Sequence, residues 1–186
     1  MYILTHTYTE HSMSAHRRIR PSADEFNPFY AGYIAQVPDG DVVEALIGGA
    51  EIASALLGDL DDAAASHAYA PGKWTLKEVL LHCADTERIF GYRALRIARG
   101  DATPLPGFDE NAYVPLSGAA NRSIAEILDE FESVRESTVT LFSGLPADAW
   151  TRRGTASNVA VSVRAIAWIT AGHALHHMAV IQDRYL

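Results

Sequence analysis

The sequence has little of what secreted and membrane proteins need. It contains one cysteine, Cys83, which cannot form an intramolecular disulfide. Its N-terminus lacks the basic-then-apolar pattern of a signal peptide, and no segment has the roughly 20 consecutive apolar residues that span a bilayer. We therefore predict a cytoplasmic protein without membrane association.

Clusters of basic residues that would follow a phosphate backbone are also missing. The chain has 15 Lys and Arg residues against 23 Asp and Glu residues, which gives a formal net charge of -8. Proteins that bind nucleic acids normally offer a positive surface to the phosphate backbone. We therefore expect no nucleic acid partner.

What is present is an ordinary globular composition. Of the 186 residues, 48% are hydrophobic and 20% are charged, which is enough for one hydrophobic core. Residues 1–20 are polar and follow no helical or strand period, and their three histidines, spaced by five, suit no single helix face. We predict a flexible tail over residues 1–20, whose start is either Met1 or Met13, and a single domain over residues 21–186.

Four long segments have the apolar spacing of amphipathic helices. Capping boxes open two of them, at Thr75–Glu78 and Ser123–Glu126, and no segment shows the convincing alternation of a strand. The four segments cover about residues 41–58, 75–99, 123–144 and 161–183. We therefore predict an all-α fold in the form of a four-helix up-down bundle.

Two other regions have features of their own. Aromatic residues within 26–33 have the i, i+3, i+4, i+7 spacing of a short helix, so we expect a short N-terminal helical extension that packs on the core. Prolines and glycines between residues 100 and 121 predict a loop without regular elements, and long loops often carry function. This loop is either a lid or pocket wall or a purely structural connection.

Three histidines form the candidate metal site. His173 and His177 are four residues apart, so both imidazoles project from the apolar stripe of the last helix. His82 lies midway along the second helix, from which a third nitrogen can reach across the bundle. Burying three neutral histidines is costly unless they find partners, which are either ordinary hydrogen bonds or one shared divalent metal ion. We predict the metal ion, with His176 pointing away from it.

The predicted site has the composition of a catalytic metal site, because three protein nitrogens leave at least one coordination position for water or substrate. The carboxylates of Asp85 and Glu87 either orient the ligand histidines, accept a proton or form part of a solvated helix face. Cys83 follows His82 directly but lies about 100° round the helix, so we expect it in the core and outside the site.

Short motifs around these histidines resemble one known family. The motifs are Lys73–His82 with Asp85 and Glu87 after it, Gly107–Asn111, and Gly172–His177. From about Asp41 to the C-terminus the chain resembles the DinB/YfiT-like superfamily of metalloenzymes, which share a DinB-like domain. The resemblance implies a four-helix bundle whose helices run up, down, down and up, and frequently a homodimer. It also implies a metal ion held by His82, His173 and His177, usually zinc or nickel and sometimes manganese or iron.

Three functions are compatible with these features. The first, favoured by the resemblance, is a thiol S-transferase in which the ion binds a low-molecular-weight thiol such as bacillithiol, mycothiol or glutathione. The second is a hydrolase that activates water at the same ion, with Asp85, Glu78 or Asp109 as the base. The third is a non-enzymatic metal-binding protein in a stress response. Both enzymes would act on a small-molecule substrate.

Overall fold

Helices dominate the structure, a computed structural model that describes residues 15–186. Its elements are α1 (Ala31–Gln36), α2 (Val42–Leu57), α3 (Asp62–Ala65), α4 (Leu76–Ala98), α5 (Glu110–Tyr113), α6 (Ile124–Ser143), β1 (Arg153–Ala156), β2 (Val159–Ser162) and α7 (Val163–Arg184). Residues 1–14 of the predicted flexible tail lie outside the described residues. Within residues 15–186, none of the helices combines the length and the apolar character that crossing a membrane requires.

Each long helix begins at a side chain that caps its free backbone N–H groups. At α4, the N–H of Glu78 donates to Thr75 Oγ1 at 3.2 Å and the N–H of Thr75 donates to the Glu78 carboxylate at 2.7 Å. This is the predicted capping box. Ser123 forms the second predicted capping box at α6, whereas the side chains of Asp41 and Ser162 cap α2 and α7 by accepting one backbone N–H each. The four predicted long helices are confirmed, with ends close to the predicted ones.

The four long helices run up, down, down and up. Both α2 and α4 pack against α6 and α7, so α2 and α4 lie diagonally opposite each other. One part of the core joins the beginnings of α2 and α7 to the ends of α4 and α6, and the other part joins the opposite ends. Therefore α2 and α7 run in one direction and α4 and α6 in the other. This confirms the four-helix bundle and agrees with the order that the resemblance implies.

Because α4 and α6 run in the same direction, the link between them must cross the length of the bundle. Residues 99–123 form this crossing link, which contacts β1 where the N–H of Leu105 donates to the main-chain oxygen of Thr155 at 2.9 Å. The prediction of a loop without regular elements is wrong here, since the link contains α5 and short 3-10 turns. The Asp109 side chain accepts from the N–H of Asn111 at 3.0 Å, which caps this single helical turn.

A β-hairpin that the sequence did not predict precedes α7. Its strands β1 and β2 pair antiparallel, with Arg153 opposite Ser162. Ser157 and Asn158 form the two-residue turn with φ values of 53° and 64°, as in tight hairpin turns whose twist matches that of the strands. Each strand has four residues, which is too few for alternation to be recognised in the sequence.

The segment before α2 packs on the bundle from residue 15 onward. Ala15–Arg18 form a 3-10 helix, and the Arg17 side chain pairs with Asp41 at 2.9 Å. Arg20 donates to the main-chain oxygen of Ile34 at 2.5 Å. The chain therefore packs on the bundle before residue 21, where the domain was predicted to begin. The N-terminal extension is a 3-10 turn followed by α1, which packs on α7.

A buried ion pair joins three of the four long helices. Glu87 on α4 accepts two hydrogen bonds of 2.7 Å from Arg135 on α6, and each residue is 2% exposed. Arg135 Nη1 also donates to the main-chain oxygen of Leu46 on α2 at 2.5 Å. Gly49 leaves room for this side chain, because a Cβ there would lie 2.9 Å from Nη1. Glu87 thus belongs to the bundle core and not to a solvated helix face.

Replacing Glu87 with Gln is expected to lower the free energy of unfolding by about 3–5 kcal/mol, because the charge of Arg135 would stay buried without its partner. Chemical denaturation followed by circular dichroism measures this change. Arg88→Gln is the matched control, since Arg88 pairs with Glu130 at the surface, where an ion pair contributes about 0–1 kcal/mol. Equal effects of the two substitutions would contradict a special role for the buried pair.

Candidate metal centre

The side chains of His82, His173 and His177 meet inside the bundle. His82 lies on α4, and the other two lie one turn apart on α7, which packs against α4. Nε2 of His173 is 3.2 Å from Nε2 of His82 and 3.1 Å from Nε2 of His177. One ring nitrogen from each residue lies within 4.8 Å of the other two. The structure therefore brings together the three residues selected from the sequence.

The separations between these nitrogens fit a shared metal ion. Zinc binds histidine nitrogens at about 2.0–2.1 Å in a tetrahedral arrangement, which places neighbouring ligand nitrogens about 3.3 Å apart. The observed Nε2 separations of 3.2 and 3.1 Å are close to this value. Hydrogen bonds alone cannot satisfy the cluster. Nε2 of His173 carries either one lone pair or one N–H, so it can form a full hydrogen bond with only one of His82 and His177.

Burial keeps the three imidazoles neutral at physiological pH. It lowers the pKa of His82 to about 4, a shift that the Glu110 carboxylate opposes. It lowers the pKa of His177 to about 3, with a smaller contribution from His82 and His176. The pKa of His173 falls well below its usual value, first because of burial and then because of the neighbouring histidines. Neutral rings retain the lone pairs that metal ligands need.

Aromatic rings and one hydroxyl group help to orient the imidazoles. The ring centroid of Trp74 lies 4.9 Å from that of His82, and Tyr33 meets His173 edge-on at 5.4 Å. Thr86 Oγ1 lies 3.4 Å from Nδ1 of His82, the nitrogen that faces away from the cluster. When Nδ1 donates to this hydroxyl, Nε2 is left unprotonated and can bind a metal ion.

The close packing of α1 on α7 depends on Gly172, which directly precedes His173. A Cβ at this position would lie 2.1 Å from the main-chain oxygen of Tyr33. The close approach lets the Tyr33 ring reach His173 and also His176, at 5.1 Å between ring centroids. Any larger residue in place of Gly172 would force the two helices apart.

A pocket of about 350 Å³ opens beside His177. Lys73 and His176 line it, together with Asn111 from the crossing link. The link therefore forms part of a pocket wall, one of the two roles considered for it. His176 interacts with Gln36 at 3.3 Å through Nδ1 and lies outside the three-histidine cluster, in agreement with its predicted orientation.

The carboxylates suggested as bases from the sequence are engaged elsewhere. Glu78 and Asp109 cap helices, and Asp85 pairs with an arginine on its own helix at 3.4 Å. Glu110 was not considered in the sequence reasoning, although it stands next to Asp109 in the same short motif. It is close enough to His82 for its charge to act on the pKa of that ring. Because the adjacent residue Asn111 lines the pocket beside His177, Glu110 is the carboxylate that we associate with the site.

The only cysteine of the chain, Cys83, takes no part in the site. It is 2% exposed, and burial raises its pKa far above the usual value. Its predicted place in the core is confirmed. Any thiol that reacts at the cluster must therefore come from another molecule.

Comparisons with known proteins agree with this architecture. The family model of the DinB superfamily matches residues 46–181, more than half of the chain. The fold is similar to that of YfiT from Bacillus subtilis, described as a probable metal-dependent hydrolase with an unusual four-helix bundle topology. That match has a TM-score of 0.70 and 15% sequence identity, and covers 89% of this chain and 91% of YfiT. No curated protein sequence matches the chain.

Gly172→Ala is expected to lower the free energy of unfolding by about 1–3 kcal/mol, because the added methyl group would push α1 away from α7. Thermal denaturation measures this change, and NMR shifts of the Tyr33 ring report the lost contact with His173. The control is Gly91→Ala on α4, where a Cβ meets nothing within 4 Å. If both variants were as stable as the unchanged protein, the described approach of the two helices would be wrong.

Proposed function

We propose that this chain, which belongs to the DinB superfamily, is a metal-dependent hydrolase whose divalent ion is held by His82, His173 and His177. The proposal rests on one observation, the convergence of three neutral imidazoles with Nε2 separations of 3.2 and 3.1 Å. Three protein ligands leave at least one coordination position for water or substrate. The donor set is therefore typical of a catalytic metal site.

The residues around the cluster would support this chemistry. A divalent ion, when bound, lowers the pKa of a coordinated nucleophile to near neutrality. Thr86 favours the tautomer of His82 that offers Nε2, and the rings of Trp74 and Tyr33 shield the imidazoles from bulk water. Glu110 offers a carboxylate near His82 that can accept a proton.

The donor set also narrows the choice of metal. Imidazole nitrogens suit zinc, nickel and iron, whereas manganese prefers oxygen donors. Tetrahedral spacing of the nitrogens adds support for zinc. We propose zinc or nickel as the natural ion, with iron or manganese as alternatives.

The structural relative supports hydrolysis by analogy. YfiT is described as a probable metal-dependent hydrolase and has a similar fold. A shared fold does not establish a shared reaction, because function depends on the residues of the site. The geometry of the three histidines therefore carries the proposal, and the relative favours water as the nucleophile.

Thiol transfer is the second candidate, and the pocket beside His177 favours it. A volume of about 350 Å³ exceeds what a single water molecule needs. Lys73 in the pocket wall can pair with a carboxylate of bacillithiol or glutathione, a group that mycothiol lacks. A metal-binding protein without turnover, for example in a stress response, is the third candidate.

Elemental mass spectrometry of the untagged protein is expected to find one divalent metal ion per chain. Each of His82→Ala, His173→Ala and His177→Ala should lose the ion, because two remaining nitrogens leave the site without its third ligand. His176→Ala is the matched control and should retain it. A wild-type protein that contains no metal and does not bind added zinc or nickel would refute the site.

The metal-loaded protein is expected to hydrolyse an activated ester such as p-nitrophenyl acetate, and chelation should stop the reaction. Glu110→Gln should lower kcat by about 10²–10⁴-fold with unchanged metal content, because a proton acceptor is removed. Glu51→Gln, at an exposed position of α2, is the control. Conjugation of glutathione to 1-chloro-2,4-dinitrobenzene without ester hydrolysis would support the transferase, and absence of both activities would support the non-enzymatic protein.

A further inference from the structure

Arg93 on α4 is a buried cation that has no acidic partner among residues 15–186. It is 4% exposed, and the other buried arginine within residues 15–186 is Arg135. Arg135 pairs with Glu87, whereas Arg93 forms no ion pair with any described residue. Burying a charge without its counter-charge is unfavourable. This suggests that a negative group from outside the chain binds here.

The guanidinium of Arg93 is only partly used by the described part of the protein. Its Nη2 atom donates to the main-chain oxygen of Pro106 at 2.7 Å and to Oγ of Ser157 at 3.1 Å. Its central carbon lies 6.0 Å from the ring of Phe90 and 5.7 Å from that of Phe108, which supports the cation and limits its movement. The Tyr30 hydroxyl is near enough to interact with the guanidinium, but within residues 15–186 neither Nε nor Nη1 donates a hydrogen bond of 3.5 Å or less. These two atoms are left for a ligand.

Arg93 lines a cavity of about 100 Å³ between α4, the β-hairpin and the turn before α1. Its other walls are mostly aromatic and aliphatic and include Phe29, Tyr30, Phe90, Ala160 and Ile169. At liquid density about three water molecules would fill this volume. One cation within apolar walls suits a compact anionic group on a short apolar stem.

This cavity lies next to the candidate metal centre but does not include it. Arg93 follows His82 by eleven residues, which places it about 16 Å further along α4 and within about 20° of the same helix face. The ring of Phe90 lines the cavity and also contacts the ring of His173, with centroids 6.1 Å apart. One aromatic ring thus separates an occupant of the cavity from the histidine cluster.

We propose that Arg93 binds the carboxylate group of a small organic acid in this cavity. A carboxylate accepts two parallel hydrogen bonds from a guanidinium and supplies the single negative charge that Arg93 lacks. A phosphate dianion would bring a second charge, for which the described residues lining the cavity offer no second cation. The site requires no bound metal, so its test does not depend on the proposed function.

Titration of the full chain with propionate tests this proposal by calorimetry and by the NMR resonance of the Arg93 Nε–H group. Propionate should bind saturably and shift that resonance, whereas propionamide, which has the same shape without the charge, should not bind. Arg93→Gln should weaken propionate binding roughly 10- to 100-fold, because a hydrogen-bonded ion pair is lost. Arg96→Gln is the matched control, since Arg96 lies on the same helix and pairs with Asp101. This variant should bind propionate with the affinity of the wild type.

A second variant tests the cavity without altering the cation. Ala160 is exposed and lines the cavity, so Ala160→Phe should fill its mouth and abolish propionate binding while the fold is retained. Three results would overturn the proposal: no saturable binding of propionate to the wild type, equal binding of propionamide, or unchanged binding in the folded Ala160→Phe variant. Tighter binding of inorganic phosphate than of propionate would overturn the assignment to carboxylates.

Discussion

Burial of the Glu87–Arg135 pair constrains the whole bundle, because neither charge tolerates the loss of its partner inside a protein. The pair ties α4 to α6, and the additional hydrogen bond from Arg135 to Leu46 includes α2. The fourth long helix, α7, is not part of this network and instead faces α4 through His173 and His177. A metal ion shared with His82 would therefore join α7 to the three helices that the ion pair already holds. Folding and metal binding would then stabilise each other.

Local sequence signals predict most of the bundle. The capping boxes at Thr75 and Ser123 and the apolar stripes mark the four long helices, because these features depend on neighbouring residues. The i, i+4 spacing of His173 and His177 predicts half of the candidate site for the same reason. The position of His82 opposite them depends on how α4 packs against α7, and its selection rested partly on the family resemblance.

The features that escaped prediction arise from contacts distant in sequence. The hairpin is short, and its turn at Ser157 and Asn158 lacks the Asn-Gly signal that marks many hairpins. The effect of Glu110 on His82 appears when the crossing link folds back over α4. In the sequence Arg93 resembles any other helical arginine. Its burial depends on Pro106 and on the hairpin, and no carboxylate of residues 15–186 pairs with it. Such relationships follow from tertiary structure and leave no local pattern.

The up, down, down, up order of the helices has an evolutionary consequence. This order requires the crossing link, residues 99–123, to run the length of the bundle. The link supplies Asn111 to the pocket beside His177 and Pro106 to the contact with Arg93. The crossing link contributes neither a ligand histidine nor a member of the buried ion pair. Its exposed positions can therefore accumulate substitutions at little cost to the scaffold, whereas Leu105 and Ala119 are buried in the core. Divergent members of such a lineage could acquire new substrates by changing one surface segment while the scaffold and the metal ligands stay the same.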